Sequence, residues 1–594
     1  MLTRFKKWLS ITRSQNARLL LLLGIILFNV MLWLVSSLIT YLIEPDLYGS
    51  IASSLWNSGI TWMLEPGFYD PSVSVPVRIL SIVVIITSMI TFSGGIIAYV
   101  ANLFATIIEG SQKGKNSIFI YNHILILNWN SKALELIADY RFDDDTTDIV
   151  ILSDYDKSIV EAQIKRKIYD VKEKSLFKKM HIIVKEGDVY STQDLDNVSL
   201  GSAKTIIILA DEEKKAEERL DNPDILQIKS LMLIANCILK PEQTVIVEIK
   251  NEKSLTLIRD KIAREHNLEN QIIPIISDEM LGRLIAQTIL YPRLNQVFQE
   301  LLSFEGMEFY SIKQGNLDAV LKENPYLIPA FSLNEVLYVL ADSEKKLNAK
   351  RLEPFSLNKK IKIIKERKYP EHSVVIFGKN NKLPYIVDSL SWFEKDADTK
   401  VNVTVVPAND PETIKTHLAG IDRIDTILVL SDDGLDTKDY DSDVLVTLLM
   451  IQDLAKSHNA KIVLELLNPK HYDIAKSYNI ENTIVSNQYL SRIITQLSKN
   501  RDLFPMYYEL LTYDADNSSH EIYVFTADTV IAESFPVTFS SFAELINAIY
   551  YGSRQEYMPI GVIHDNVLDI FSGDLDHNKK IIIEATDDLV VICK

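Results

Sequence analysis

The sequence predicts an α/β protein: a two-helix transmembrane pore module followed by two tandem Rossmann-like domains, each with a small α+β C-terminal lobe. Three observations carry that prediction. Two long apolar runs, Leu19–Ile43 and Ile79–Ile108, contain no charged residue. From His123 onward, short apolar strands alternate with helical segments, the order of a doubly wound parallel sheet. The alternation restarts at His372, so one unit is present twice.

Each run is long enough to cross a hydrocarbon core, which takes about 20 apolar residues. The first is too long for the apolar part of a signal peptide, about 7 to 15 residues, and no small-residue cleavage site follows it. Arg4, Lys6, Lys7, Arg13 and Arg18 precede the first span, and Lys113 and Lys115 follow the second. Positive flanks stay inside, so both termini are expected in the cytoplasm of a multi-pass protein of the cell membrane, in contact with the lipid bilayer. The loop between the spans, with Glu44, Asp46, Glu65, Asp70 and the lone cation Arg78, reads as external.

Within that loop, Tyr48–Leu64 has a semi-polar helical pattern too short to cross alone, which fits a re-entrant pore helix. The next residues, Glu65, Pro66, Gly67, Phe68, Tyr69 and Asp70, would form an extended filter. Glu65 and Asp70 are the candidate pore-mouth carboxylates, able to concentrate permeant cations by charge. The potassium-filter sequence TVGYG is absent. Gly94 and Gly95 lie in the middle of the second span, where a glycine pair weakens a helix. They serve as a gating hinge or as a close-packing site between helices.

The expected boundaries are 1–117 for the pore module (helices at 17–43 and 79–108, pore helix and filter at 48–71), 118–277 and 371–500 for the Rossmann-like lobes, and 278–370 and 501–594 for their C-terminal lobes. In the first copy, strands at His123–Leu127, Asp148–Leu152, His181–Val184, Thr205–Leu209 and Thr244–Ile249 interleave with helices at Ser131–Tyr140, Lys157–Ile168 and Ile225–Leu239. The second copy repeats this with strands at His372–Phe377, Val401–Val406, Thr426–Leu430 and Ala460–Leu464 and a helix at Val444–Ser457.

A dinucleotide site wants G-x-G-x-x-G after the first strand, so that backbone can approach a pyrophosphate. Here the first copy has Asn128, Trp129 and Asn130, and the second has Gly378 and Asn380. Both fingerprints are degenerate, which makes a nucleotide the weaker cofactor candidate. With Asp154 and Asp188 these residues are the candidate nucleotide contacts. Carboxylates gathered at strand ends could instead hold an oxygen-seeking cation. The candidates are Asp154, Glu186, Asp188, Asp211 and Glu212 in the first copy and Asp432, Asp433, Asp439, Asp441 and Asp443 in the second. Taken singly, each is better explained as a loop charge or helix cap; the clusters, not the individual residues, carry the cation reading. The net charge of −18 opposes a nucleic-acid partner. The two cysteines, Cys237 and Cys593, have no metal-ligand spacing and read as reduced thiols.

Asp278–Ile312, with Gly282-Arg283-Leu284, Gln287, Pro292, Leu294, Gln296, Phe304-Glu305 and Glu308-Phe309-Tyr310, resembles the Castor/Pollux family of ion channels. His123–Trp129, Ser431-Asp432-Asp433 through Asp443, Leu448–Ile451 with Asp453, and Ser486-Asn487 extend the resemblance. The resemblance implies RCK domains, a homotetramer with a gating ring of eight such units, and calcium as a regulatory ligand. Asn128 stands where the family usually has glycine, and Glu65-Pro66-Gly67-Phe68 departs from the family's filter.

The implied function is a ligand-gated cation channel and not an enzyme. Two other classes fit the same repeats: a membrane-anchored nucleotide-binding subunit of a cation transporter, and a membrane oxidoreductase. The second lacks a nucleophile, a His–acid pair or a metal motif.

Overall fold

The computed structural model describes residues 17–56, 62, 72–112, 116–143, 147–170, 177, 179–210, 222–237, 239–352, 355, 360–364, 371–406, 421–431, 440–480, 482–512 and 519–593. The chain forms two compact units, residues 1–114 and 115–594.

In the first unit an outer helix, Ala17–Ile43, is followed by short helices at Pro45–Tyr48 and Ile51–Ser54. Ser50 starts the second of these, its Oγ accepting from the Ser53 amide at 3.2 Å. Two bonds tie this entry segment to the outer helix: Trp33 Nε1 donates to Leu55 O (2.8 Å) and Ser54 Oγ to Ser37 O (2.7 Å). Such bonds satisfy backbone groups that lipid could not. The inner helix is longer than the apolar run predicts. It runs Val75–Ser88, widens into a π-wound segment at Met89–Ser93, and continues as Gly94–Gln112. It starts early because Pro76 suits a first helical turn and the Ser74 amide is taken by Glu44 Oε1 at 2.6 Å. Glu44 therefore fastens the loop rather than standing as a bare external charge.

The second unit holds two parallel sheets. The first has β1 (Ile124–Leu127), β2 (Thr147–Ser153), β3 (Met180–Glu186), β4 (Thr205–Ile208), β5 (Thr244–Ile249) and β6 (Ile272–Ile276) in the order 3-2-1-4-5-6. β1, β4 and β5 are buried along their whole length, as strands covered on both faces must be. A small antiparallel sheet follows, of β7 (Glu308–Lys313), β8 (Ile328–Leu333) and β9 (Val336–Ala341). The second parallel sheet uses β10 (His372–Phe377), β11 (Val401–Val406), β12 (Thr426–Val429), β13 (Lys461–Leu466) and β14 (Asn482–Val485), in the order 11-10-12-13-14. An α+β lobe from Glu521 to Cys593 closes the described chain.

Strand positions follow the sequence reading closely, and the differences are mainly added elements, among them helices at Glu252–Leu257 and Leu383–Asp396. A helix at Thr192–Asn197 lies between β3 and β4, where none was expected. The helix expected at Val444–Ser457 runs Tyr440–His458. β6 and β14 were not anticipated as sheet members, because each runs directly into a long helix that dominates the local pattern.

Those two helices, Ser277–Leu290 and Ser486–Lys499, are exchanged between the lobes. Gly282 of the first lies against the second lobe, where a Cβ would come within 2.9 Å of Lys382 O and of Tyr385 Cβ. At the matching place Ser491 Oγ donates to Lys132 O of the first lobe at 3.0 Å. The exchange is why one apolar core runs through both lobes.

Candidate functional site

Glu65, Pro66, Gly67, Phe68, Tyr69 and Asp70 lie outside the described residues, as do Asp211, Glu212, Asp432, Asp433 and Asp439. Gly94 and Gly95 are described and differ from each other. A Cβ on Gly95 would sit 2.9 Å from Ile25 Cδ1 of the outer helix, whereas one on Gly94 would meet nothing nearer than Met89 O at 3.7 Å. Gly95 is therefore a packing position, and Gly94 directly follows the π-wound segment.

The two candidate nucleotide clefts are built alike. After β1, Asn128 takes a positive φ of 71° and its Nδ2 donates to Leu209 O at 2.9 Å. Asn130 then caps the helix Ser131–Tyr140, its Oδ1 accepting from the amides of Lys132 (2.9 Å) and Ala133 (3.3 Å). In the second lobe Gly378 takes the positive φ, at 87°, and Asn380 Oδ1 accepts from the Lys382 amide at 3.0 Å. The amides that would grip a pyrophosphate are thus engaged by the chain's own asparagines. Behind each cap lies a buried ion pair. Lys132 Nζ is 3.1 Å from Glu248 Oε1, and Lys382 Nζ is 3.1 Å from Glu465 Oε1. A nucleotide phosphate would have to displace an asparagine cap and face a buried carboxylate. Trp129 is held as well, its Nε1 donating to Gln163 Oε1 at 2.7 Å.

Among the described residues, no three His, Cys, Asp or Glu side chains are arranged to hold a metal. Asp154 and Asp188 are exposed and Glu186 is half-buried, at the ends of neighbouring strands. Asp188 Oδ1 accepts from the Tyr190 amide (2.9 Å), which makes a local turn. Asp441 stands apart from the other candidates. It is buried, accepts from the backbone amides of Leu467 (2.8 Å) and Asn468 (2.9 Å), and lies 2.8 Å from His471 Nδ1. Asp224 does the same in the first lobe, accepting from the amides of Lys250 (2.8 Å) and Asn251 (2.9 Å). Both brace the turn that leaves a central strand. Asp443, two residues beyond Asp441, is half-buried on the helix Tyr440–His458.

The segment that opens the second unit is stitched to the turn before β4. Ser117 Oγ donates to Asn197 Oδ1 (2.6 Å), the Ile118 amide to Asn197 O (2.9 Å), Ser199 Oγ to Ile118 O (2.7 Å) and the Asn122 amide to Ser202 O (2.8 Å). Lys185 Nζ also donates to Asn116 O.

Sequence reasoning passed over the exchanged helices as a repeat. Both read S-x-x-x-L-x-R-x-I-x-Q, from Ser277 to Gln287 and from Ser486 to Gln496. The glutamines act alike, Gln287 Nε2 donating to Leu510 O (3.0 Å) and Gln496 Nε2 to Ser303 O (3.2 Å). The arginines diverge. Arg283 pairs with Glu279 at 2.6 Å and lies 5.0 Å over the Trp392 ring. Arg492 donates to Gln299 O at 2.7 Å and lies 4.0 Å from buried Asp139. Burial pushes the Asp139 carboxyl up to about 6, against the opposing pull of Arg492 and Arg141.

A family model described as the calcium-activated potassium channel slowpoke-like RCK domain matches residues 119–276. The chain is 23% identical over 558 residues to the ion channel DMI1 of Medicago truncatula, covering 79% of this chain and 61% of that one. It is 21% identical over 574 residues to the ion channel CASTOR of Lotus japonicus, covering 82% and 64%. It is 25% identical over 245 residues to the calcium-gated potassium channel TvoK of Thermoplasma volcanium, covering 40% and 61%. The chain therefore spans about three-fifths of the length of these relatives. They are named as ion channels rather than enzymes, and the expected resemblance to the Castor/Pollux channels holds.

Proposed function

We propose that the chain is one subunit of a ligand-gated cation channel of the Castor/Pollux type, in which four copies join their paired RCK lobes into a ring that works a two-helix pore. The observation that carries this reading is the similarity to named ion channels over 79% of the chain, in a protein that also has two helices of membrane-crossing length. Glu65 and Asp70 would stand at the pore mouth, and the segment 116–122 would pass the ring's movement to the inner helix. A ring ligand acts only through different affinities for two ring geometries.

Calcium is the proposed ligand. The names of the slowpoke-like family model and of the Thermoplasma relative support it. The carboxylates offered for it are Asp154, Glu186 and Asp188 with Asp211 and Glu212, and Asp432, Asp433, Asp439 and Asp443. The bonded asparagine caps and buried ion pairs weigh against the nucleotide-binding subunit.

The test is single-channel recording from the purified chain in planar bilayers while calcium is varied on the side of the termini. Open probability should change with calcium; a constant value overturns calcium gating, and absence of current overturns the channel. Reversal potentials in a cation-substitution series, for the parent beside Glu65→Gln and Asp70→Asn, test the pore-mouth assignment. Native mass measurement in detergent tests the tetramer.

A further inference from the structure

We infer that Asn29 and Thr91 are positioning residues that hold the inner helix in its π-wound register, and that Gly94 and Gly95 serve two alternative registers whose exchange moves the pore-lining helix. The link to gating rests on the channel reading; the two registers do not.

Asn29 is 2% exposed in a predominantly apolar stretch of its helix, a full turn or more from the buried Ser36, Ser37 and Thr40. Its Nδ2 donates to Ile25 O at 2.9 Å, and its Oδ1 faces Thr91 Oγ1 at 3.1 Å. Thr91 is the middle residue of the π-wound segment Met89–Ser93, and its hydroxyl also lies 2.7 Å from Thr87 O. A hydroxyl has one proton, so these two acceptors are alternatives. Donation to Asn29 ties the widened turn to the outer helix; donation to Thr87 closes it upon its own helix. One turn further on, Gly95 presses against Ile25, the residue whose carbonyl holds Asn29.

A π turn takes up one residue more than an α turn. Relaxation to plain α winding therefore rotates everything beyond Ser93 by about 100° and shifts it by about 1.5 Å. The place against Ile25 then passes from Gly95 to Gly94. A Cβ at that place meets Ile25 Cδ1 at 2.9 Å and Cγ2 at 3.2 Å, so each register favours a glycine there over any residue that would push Ile25 aside, and the pair supplies one to each.

The registers predict opposite effects for two substitutions that helix propensity would treat alike. Gly94→Ala leaves the π register untouched and obstructs the α register; Gly95→Ala does the reverse. Thr91→Val and Asn29→Leu should act in the sense of Gly95→Ala, changing the ratio of registers about 3- to 15-fold, and Thr91→Ser should match the parent. The experiment uses the full chain with Cys237→Ala and Cys593→Ala, single cysteines introduced in turn at positions 97–104, and a water-soluble maleimide. The labelling pattern of Gly94→Ala and that of Gly95→Ala should differ by one residue, and open probability should move in opposite directions. An identical pattern in both, or a Thr91→Val pattern that follows Gly94→Ala, overturns the inference. Absence of current in the parent overturns the channel reading alone, since the labelling pattern still decides the registers.

Discussion

The two Rossmann-like lobes share a scaffold and differ in how their clefts are wired. In the first, Lys132 pairs with Glu248, whose Oε2 also accepts from the Ala210 amide at 3.2 Å. In the second, Lys382 lies 3.1 Å from Glu465 and 3.9 Å from Asp278, which arrives on the exchanged helix of the other lobe. The matching residue in the first lobe is the neutral Asn487, whose Nδ2 donates to Ser131 Oγ at 2.9 Å. Glu465 is also the better bonded, accepting from Asn380 Nδ2 (2.9 Å) and Ser486 Oγ (2.5 Å). Among the described residues, one charge on an exchanged helix thus adds a carboxylate from the other lobe to the pair at Lys382.

The largest expected effect comes from removing the lysines. Breaking a buried pair costs about 3 to 5 kcal/mol, because a charge is left without its counter-ion. Lys132→Met should fall in that range. Lys382→Met should cost more, since it leaves two carboxylates facing each other, and Lys382→Met with Asp278→Asn should return to the Lys132→Met level. Denaturant unfolding of the purified chain reads the order; equal losses for the two single variants would break the comparison.

Next is proton binding at Asp139, which has Ser389 as its counterpart in the second lobe, both buried. The folded state holds its proton to about pH 6 against an ordinary 3.8, so stability is full below about pH 4 and declines as pH rises through 6. The loss is on the order of 3 kcal/mol. Melting temperature followed from pH 4 to 7 should show this slope in the parent and lose it in Asp139→Asn; a slope that survives in the variant assigns it elsewhere.

A smaller effect separates the two first turns. Gly378→Ala would place a Cβ 2.5 Å from Leu430 O at a φ of 87°, and should cost about 2 kcal/mol or more. Asn128→Gly keeps the backbone free and loses one buried bond, for about 1 kcal/mol. The smallest is Asp278→Asn alone, expected within about 1 kcal/mol of the parent, because it removes a carboxylate whose Oδ2 has no hydrogen-bond partner. Both are read by the same unfolding measurements.

Most of the fold was legible because burial on both faces makes a central strand such as β1 uniformly apolar, and because the unit repeats. The clefts were legible only as departures from a glycine pattern. That Asn130 and Asn380 would cap helices was within reach of the sequence. The pairing of Lys132 with Glu248 was not, since their partnership depends on strand order across the sheet. The bonds of Asp441 to two backbone amides were not legible, because a run of acidic residues looks the same whether a carboxylate faces a cation or the chain's own amides. The repeated S-x-x-x-L-x-R-x-I-x-Q was visible from the start, and comparing the two copies position by position would have exposed both exchanged helices.

The stored counter-ions also bear on how the two lobes come together. Lys382 is held by Glu465 of its own lobe and by Asp278 of the exchanged helix Ser277–Leu290, so its charge cluster is complete only once that helix has docked. Docking of the lobes and completion of that cluster are therefore one event.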